Sequence, residues 1–365
     1  MKKNKLIAKA LSLSALFVTG GCTLATVTSC SKEDVKLFTV TNNKNLSVTF
    51  CDTGASIYSI YYKGKCMTYQ PEDKDDFAHT VKNSGKILGR TCGRIAGGRM
   101  NIRGKDYKFS TNEGKNTLHG GKQGLSSREW SHDIEKTDNA TKVTFTYTSY
   151  DRESGYPLEV KFRIIYTIPD NEDKINIDMW GLPNSDNPYD ETPICLSNHT
   201  YWRLGGDDVL NHTLKIPASY IANSSKEDQI IDAGCIPVGQ NFDFRGNGQL
   251  IGKHIKKVAQ DDPVAGGYDH GWIFDNHADN APNVVELSNN NTHLYVRTDI
   301  NMVFIYANCK PVAGCKIKDY GEDKLYGGVS IEPMTYFYRN HYDSILKTKD
   351  KPFHNYIEYE LKTDN

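Results

Sequence analysis

Short segments in which apolar and polar residues alternate recur along the chain. Each has about the length of a strand, is rich in β-branched or aromatic residues, and ends near Asn, Asp, Gly or Pro. Alternation with a period of two places apolar side chains on one face of a strand, so these segments predict β-sheet. The clearest examples are Thr141–Thr148, Leu158–Ile168, Lys174–Met179, Thr292–Thr298 and Met302–Ala307.

The sequence predicts few helices. Convincing amphipathic helices with caps are nearly absent, and no internal repeat or linker rich in Pro, Gly or Ser interrupts the chain after Val35. Many strands in one body predict an all-β protein built as a large antiparallel β-sandwich. A closed barrel is disfavoured because the segments vary in length and are separated by long loops.

The first 36 residues have the features of an export signal and not of the fold. Met1–Lys5 is positively charged, and the apolar run that follows is short and contains Lys9, which argues against a transmembrane anchor. Val27–Cys30 resembles a bacterial lipoprotein cleavage box. We therefore predict a lipoprotein signal peptide over residues 1–29, a lipidated Cys30, and a short tether over residues 30–36. The protein is expected to be exported to the cell envelope and to touch membrane only through this lipid anchor.

Charge and cysteine content exclude some functions. The net charge is −1, with 44 basic and 45 acidic residues interspersed, so nothing indicates nucleic-acid binding. Beyond Cys30 an odd number of cysteines leaves at least one thiol unpaired, although Cys309 and Cys315 are close enough in sequence to close a hairpin. Their spacing fits no common zinc pattern, so we predict no metal. These cysteines are Cys51, Cys66, Cys92, Cys195, Cys235, Cys309 and Cys315.

Four short segments carry candidate chemistry. The first, Leu196–Trp202, places His199 among an amide and two aromatic residues, Tyr201 and Trp202. An imidazole can give or take a proton near neutral pH, and flat aromatic faces suit sugar rings, but His199 alone could equally be a core histidine. The other three segments are Asn116–Gly121, Gly267–His270 and Gly328–Pro333.

In this order and spacing, the four segments resemble the aldose 1-epimerase (galactose mutarotase) family. The resemblance runs from about Leu37 to about Leu361 and implies one domain over residues 37–362 with a galactose mutarotase-like supersandwich fold. It implies that the substrate is a free monosaccharide, a hexose of the galactose or glucose type, whose α and β anomers are interconverted without a cofactor. Weaker landmarks of the same resemblance are Gly89–Ile95, Ser154–Pro157 and Ile236–Arg245.

The reaction needs a base for the anomeric hydroxyl and an acid for the ring oxygen, on opposite sides of the C1–O5 unit. Glu332 follows the largely apolar Gly328–Ile331, which would desolvate its carboxylate and raise its pKa, so it is the predicted base. The resemblance assigns His199 as the acid. It also assigns three substrate-binding residues, Arg94, His119 and Asp269.

Some positions depart from the family pattern. Gly93 stands where the family commonly has Asn, Met334 where it usually has Gln, and Val303 lies near the place of a glutamine that some members use on the sugar. We interpret these departures as altered sugar preference. Two other functions remain open: a sugar-binding lipoprotein without catalysis and a glycoside hydrolase, although hydrolases normally use two carboxylates. The protein is expected to be a monomer or a dimer.

Overall fold

Antiparallel strands dominate the computed structural model, which describes residues 35–81, 83–275 and 282–364. The described residues belong to one unit that begins at Val35. Its first strand starts at Leu37 and its last ends at Thr363. The predicted signal peptide and Cys30 lie outside the described residues, so the lipid anchor stays a prediction.

A nine-stranded antiparallel sheet, here called the large sheet, forms one layer. Its longest strands alternate buried and more exposed residues, as the sequence pattern predicted. Their buried face lies on the core, where each large apolar side chain contributes roughly 1.5–3 kcal/mol. In spatial order the strands are Ser131–Lys136, Ala140–Ser149, Glu159–Pro169, Lys174–Asn184, Phe353–Thr363, Thr292–Thr298, Asn283–Asn289, Thr213–Lys215 and Gln249–Leu250.

A six-stranded antiparallel sheet, here called the site sheet, carries two of the five predicted site residues. Two of its strands hold predicted site residues, because Asp269 begins one and Glu332 lies within another. In spatial order the strands are Tyr201–Trp202, Val329–Met334, Met302–Tyr306, Asp269–Ile273, Tyr220–Ser224 and Ile231–Pro237.

Smaller elements complete the described structure. A four-stranded sheet comprises Leu37–Thr41, Leu46–Cys51, Ser56–Tyr62 and Lys65–Cys66. Two-stranded pairs join Ile87–Leu88 to Ser197–Asn198, Arg94–Ile95 to Thr117–Leu118, Arg99–Ile102 to Lys105–Lys108, Thr192–Pro193 to Leu346–Lys347, and Lys316–Ile317 to Gly321–Glu322. The α-helix is Ile255–Asp261, and single helical turns lie at Asp76–Thr80, Ala96–Gly98, Leu125–Ser127, Glu153–Gly155, Gln240–Phe242, Ile251–Lys253 and Asp343–Ile345.

One hydrophobic core joins the three main sheets. Ile164 of the large sheet, Ile305 of the site sheet and Phe50 of the four-stranded sheet belong to the same buried cluster. Sheets that share a core through their inner faces form a sandwich, so the predicted fold class is confirmed. Over the ranges that the structure describes, no helix is long and apolar enough to cross a membrane.

The cysteines of the described chain are all free thiols. Cys235 is exposed, whereas the other six are buried. The possible disulfide between Cys309 and Cys315 is therefore not formed. Cys309 and Cys315 therefore contribute to the stability of the fold through packing, as is usual for buried cysteine.

Candidate active site

The structure brings the predicted acid and base into contact. His199 lies two residues before the strand Tyr201–Trp202, which pairs with Val329–Met334, the strand that carries Glu332. The imidazole Nε2 of His199 lies 3.2 Å from Oε1 of Glu332, and both side chains are at most 5% exposed. Two residues separated by more than a hundred positions in sequence are therefore neighbours at one point of the site sheet.

Backbone hydrogen bonds hold His199 in place. Its amide N–H donates to the carbonyl of Lys86 over 2.9 Å, and its own carbonyl accepts from the amide of Gly85 over 2.9 Å. The preceding Asn198 is fully buried; its side chain donates to the Gly85 carbonyl and accepts from the Tyr359 hydroxyl over 3.0 Å. These bonds fix the backbone of His199 on both sides, and Asn198 is a structural anchor.

The carboxyl group of Glu332 lies in a largely dry environment. Burial raises the pKa of Glu332 to about 8, in the direction that the apolar sequence before it predicted. Ser330 opposes this shift, because its hydroxyl donates to Oε1 over 2.7 Å and so favours the charged form. The positive charge of Arg94 acts in the same direction as Ser330, whereas Asp269 raises the pKa further.

The two histidines of the site resist protonation. Burial lowers the pKa of His199 to about 4, although the negative charge of Asp269 opposes the shift. Desolvation also lowers the pKa of His119 well below its ordinary value, with help from His199 and Arg94. At neutral pH the contact between His199 and Glu332 therefore holds one proton, which lies on the carboxyl group in the free site.

These residues line a cavity of about 190 Å³, the scale of one small ligand. All five predicted catalytic and substrate-binding residues contribute to its wall. Its polar lining consists of Asn83, Arg94, Glu113, His119, His199, Gln229, Asp269, Lys310 and Glu332, and its apolar and aromatic lining of Leu118, Tyr201, Ile231, Phe304, Tyr306, Met334 and Phe337, with Gly93 between them.

Arg94 is held by a partner that the sequence did not reveal. Its Nε and one terminal nitrogen donate to the two carboxylate oxygens of Glu113 over 2.7 and 2.9 Å. The same terminal nitrogen lies 3.5 Å from Asp269. This paired geometry fixes the guanidinium plane and leaves the other terminal nitrogen as the end available to a ligand. Glu113 belongs to a loop without a recognisable motif, so no sequence signal marked it.

His119 occupies a tight turn whose shape depends on glycine. Its Nδ1 accepts a hydrogen bond from the Gly93 amide over 3.2 Å, which leaves Nε2 to carry the proton of the neutral ring. Gly120 has a left-handed φ of 89°, and a Cβ there would lie 1.8 Å from the carbonyl oxygen of Gly89. A glycine is therefore required for the backbone to pass so close, as the Leu-His-Gly-Gly segment suggested.

Aromatic rings surround His199, but they are only partly the predicted ones. Tyr201 and Tyr306 lie with ring centroids 4.8 and 6.3 Å from that of His199. Trp202, which the sequence offered as a sugar platform, is fully buried and packs against Tyr359 in the core. That expectation was wrong because neighbouring residues of a strand point to opposite faces.

Phe304, and not Val303, faces the cavity on the strand Met302–Tyr306. Phe304 is paired with Glu332 across the sheet, whereas Val303 is paired with Pro333. Directly paired residues project from the same face, so Phe304 shares the face of the carboxylate. The side chain that this strand presents to the cavity beside Glu332 is therefore an aromatic ring.

One group of donor atoms has the character of a metal site. Cys92, His119 and Glu332 each place one potential ligand atom within 4.8 Å of the others. Thiolate, imidazole and carboxylate are zinc ligands, but burial raises the pKa of the Cys92 thiol well above its ordinary value and so favours the uncharged thiol. Proton transfer between Glu332 and His199 needs no metal.

Comparison with known proteins identifies the family of this chain. Residues 36–343 match the family model described as aldose 1-epimerase. The chain belongs to the aldose 1-epimerase family. Membership of this isomerase family confirms the predicted enzyme class and the resemblance seen in the sequence.

Individual members of the aldose 1-epimerase family are moderately similar to this chain. An aldose 1-epimerase from Haemophilus influenzae is 30% identical over 247 residues, which cover 65% of this chain and 68% of that protein. A galactose mutarotase from Bos taurus is 31% identical over 52% of each chain, so the match spans about half of the bovine protein.

Two solved structures share the fold. A galactose 1-epimerase from Lactobacillus acidophilus superposes with a TM-score of 0.81 at 22% identity, covering 91% of this chain and 95% of that one. A GalM/aldose epimerase homologue from C. elegans gives a TM-score of 0.78 at 20% identity, covering 91% and 100%. At these identities the likeness concerns the fold alone, and it agrees with the supersandwich that the sequence predicted.

Proposed function

We propose that this protein interconverts the α and β anomers of a free hexose of the galactose or glucose type. The observation that supports this most directly is the 3.2 Å contact between His199 and Glu332 at the wall of a cavity. Opposite shifts of their pKa values, to about 4 and about 8, leave one transferable proton between them near neutral pH. An acid and a base that exchange one proton are what ring opening requires.

The proposed reaction moves two protons and no other atoms. The carboxylate of Glu332 removes the proton from the anomeric hydroxyl O1, while protonated His199 donates from Nε2 to the ring oxygen O5. The C1–O5 bond breaks and an aldehyde forms at C1. Rotation about C1–C2 presents the other carbonyl face, and the reverse transfers close the ring as the other anomer.

The close contact of the two catalytic groups suits the substrate. O1 and O5 are bonded to the same carbon, so the groups that serve them must lie near each other. Substrate binding must separate His199 Nε2 from Glu332 Oε1, because both atoms then turn to the sugar. The direct contact of the free site must therefore open before the two groups can take the predicted places on opposite sides of the C1–O5 unit.

Burial of the pair favours the ring-opened state. The reactive form has a charged carboxylate and a charged imidazolium, which a desolvated cavity disfavours. After both transfers Glu332 is neutral and His199 is neutral, which is the distribution that burial prefers. Arg94 and Asp269 reduce the free-energy cost of forming the charged pair. Arg94 stabilises the charged form of Glu332, and Asp269 stabilises the charged form of His199.

Three further residues are proposed to hold the sugar. The free end of Arg94 and the Nε2–H of His119 donate to hydroxyl oxygens, and the carboxylate of Asp269 accepts from two adjacent hydroxyls. Each lines the same cavity as the catalytic pair. These hydrogen bonds orient C1 and O5 toward Glu332 and His199.

Polarimetry on freshly dissolved α-galactose and α-glucose tests the proposal. The protein should accelerate the approach to the equilibrium rotation over buffer alone. No acceleration with a sugar that binds would instead identify a sugar-binding protein without catalysis. Release of free sugar from an aryl glycoside would identify a glycoside hydrolase.

We also propose that the protein is an exported lipoprotein anchored through Cys30. The support is the sequence alone: the charged start, the short apolar run and the cleavage-box pattern that ends at Cys30. Replacing Cys30 with Ala while keeping Cys22 should release the protein from the membrane fraction or leave it unprocessed. Lipid labelling that persists in Cys30→Ala would contradict this assignment.

A further inference from the structure

One end of the active-site cavity is apolar. Met334 and Phe337 line it beside Gly93, and these three residues are here called the apolar corner. Met334 is 1% exposed and Phe337 is 3% exposed, so the corner is well packed. It lies next to the catalytic carboxyl group, because Met334 follows Glu332 by two positions on the same face of one strand.

The corner is filled by a close fit between Gly93 and Met334. Gly93 has a left-handed φ of 82°, and a Cβ at this position would lie only 2.9 Å from the terminal methyl carbon of Met334. The thioether sulfur of Met334 also lies 3.8 Å from Sγ of Cys92. Met334 therefore occupies the space that a side chain at position 93 would need, so the corner is bounded by apolar atoms of Met334 and by the backbone of Gly93.

The opposite flank of Glu332 is polar. Ser330 precedes Glu332 on the same strand and pairs with Tyr201 on one side and Tyr306 on the other. Tyr306 pairs in turn with Asp269. These four paired residues form a row across the sheet on one side of the base, and three of them, Tyr201, Tyr306 and Asp269, line the cavity. The apolar corner lies on the other side.

A pyranose placed on the catalytic pair must present one substituent to each flank. With O1 at Glu332 and O5 at His199, the groups nearest to the reacting C1–O5 unit are the C2 hydroxyl and the C5 hydroxymethyl. One of them faces the polar row of Tyr201, Tyr306 and Asp269. The other faces Met334 and Phe337, whose side chains accept no hydrogen bond of useful strength from a hydroxyl.

We propose that this site favours a deoxy sugar, in which the group facing the apolar corner is a hydrogen or a methyl group in place of one that bears a hydroxyl. The inference rests on the proposed function, since the acid and base roles orient the ring. A hydroxyl in the corner loses its water without gaining a partner, whereas a hydrogen or methyl group packs there without that penalty. An apolar pocket discriminates against an added hydroxyl by up to about 100-fold.

Anomer-exchange rates on matched sugars test this preference and identify the position. The panel is galactose and glucose, each beside its 2-deoxy and its 6-deoxy analogue, with kcat/KM corrected for the spontaneous rate of each sugar. We expect one of the two deoxy positions to raise kcat/KM by about tenfold or more over the parent hexose in both series. That position is the substituent that faces the corner.

Two variants of Met334 connect the preference to the corner. Met334→Gln places an amide there and should lower the ratio of deoxy to parent kcat/KM by about tenfold. Met334→Leu is the matched control; it keeps the corner apolar and should leave the ratio within about twofold of the wild type.

The outcomes separate this inference from the proposed function. Parent hexoses that react as fast as both analogues, or a ratio that Met334→Gln does not lower, would overturn the deoxy preference while leaving the anomer exchange in place. Acceleration on no sugar of the panel would overturn the proposed function and this inference with it.

Discussion

Removal of one hydroxyl group beside the proposed base gives a sharp test of how the site controls its proton. Ser330 donates to Glu332 Oε1 over 2.7 Å from a fully buried position. A hydrogen bond to a charged group contributes about 1.5–3 kcal/mol and one to a neutral group about 0.5–1.5 kcal/mol. Ser330→Ala should therefore destabilise the carboxylate relative to the carboxylic acid by about 1–1.5 kcal/mol.

This difference corresponds to about one pKa unit, since 1.36 kcal/mol is one unit. In the wild type, kcat/KM should fall above about pH 8, where the last proton leaves the His199–Glu332 pair, and below about pH 4, where a second proton binds. In Ser330→Ala the alkaline fall should move up to about pH 9. The plateau should drop by about tenfold, because less of the pair has the charged, reactive form.

The assay is polarimetry on α-galactose across this pH range, with the buffer rate subtracted at each point. Ser197→Ala is the matched control, because Ser197 is also fully buried but its hydroxyl has no hydrogen-bond partner among the residues described. Its profile should follow the wild type. An unmoved alkaline limb in Ser330→Ala, or an equal shift in Ser197→Ala, would refute the assigned role of this hydrogen bond.

Three further substitutions have distinct expected results. Glu113→Gln weakens the paired contact that orients Arg94, so KM should rise about threefold to tenfold with kcat nearly unchanged; a fall in kcat alone would contradict a binding role. Tyr359→Phe removes a hydrogen bond to buried Asn198, so urea unfolding should show a loss of about 1 kcal/mol, and unchanged stability would contradict the anchor. Trp202→Phe should lower stability by about 1–3 kcal/mol at unchanged KM, and a raised KM would return Trp202 to the sugar site.

The strand pattern made much of the fold predictable. Thr292–Thr298 has the bounds that the sequence predicted, and Thr141–Thr148 and Leu158–Ile168 differ from the observed strands by one residue at each end. Lys174–Met179 continues to Asn184, because pairing with Glu159–Pro169 holds a stretch that contains Gly181 and Pro183. Those two residues end the alternation in sequence, but they do not end the ladder in the sheet.

The candidate site was predictable where a residue lies in a continuous motif. His199, Glu332, His119 and Asp269 each stood out by their neighbours in sequence, and the structure places them around one cavity together with Arg94. The cavity residues outside these motifs are positioned by pairing between strands that are distant in sequence. A shift of one residue exchanges the faces of a strand, which is why Phe304 and not Val303 faces the site.

Partners of the motif residues also escaped prediction. Glu113 reaches Arg94 from a loop, and Tyr306 reaches the neighbourhood of His199 from a separate strand. Their positions depend on how the tertiary fold brings distant segments together, which the local sequence does not encode. The effect of Met334 on Gly93 is of the same kind, since only the folded chain places their atoms in contact.

The most direct test of the central claim is exchange between the α and β anomeric proton signals of galactose in NMR, measured at equilibrium and neutral pH. The wild type should transfer magnetisation between the two signals far faster than buffer. His199→Ala and Glu332→Gln, each folded by circular dichroism, should each lose about 100-fold or more of the added rate. Exchange at the wild-type rate in either variant would contradict the proposal that these two side chains carry the protons.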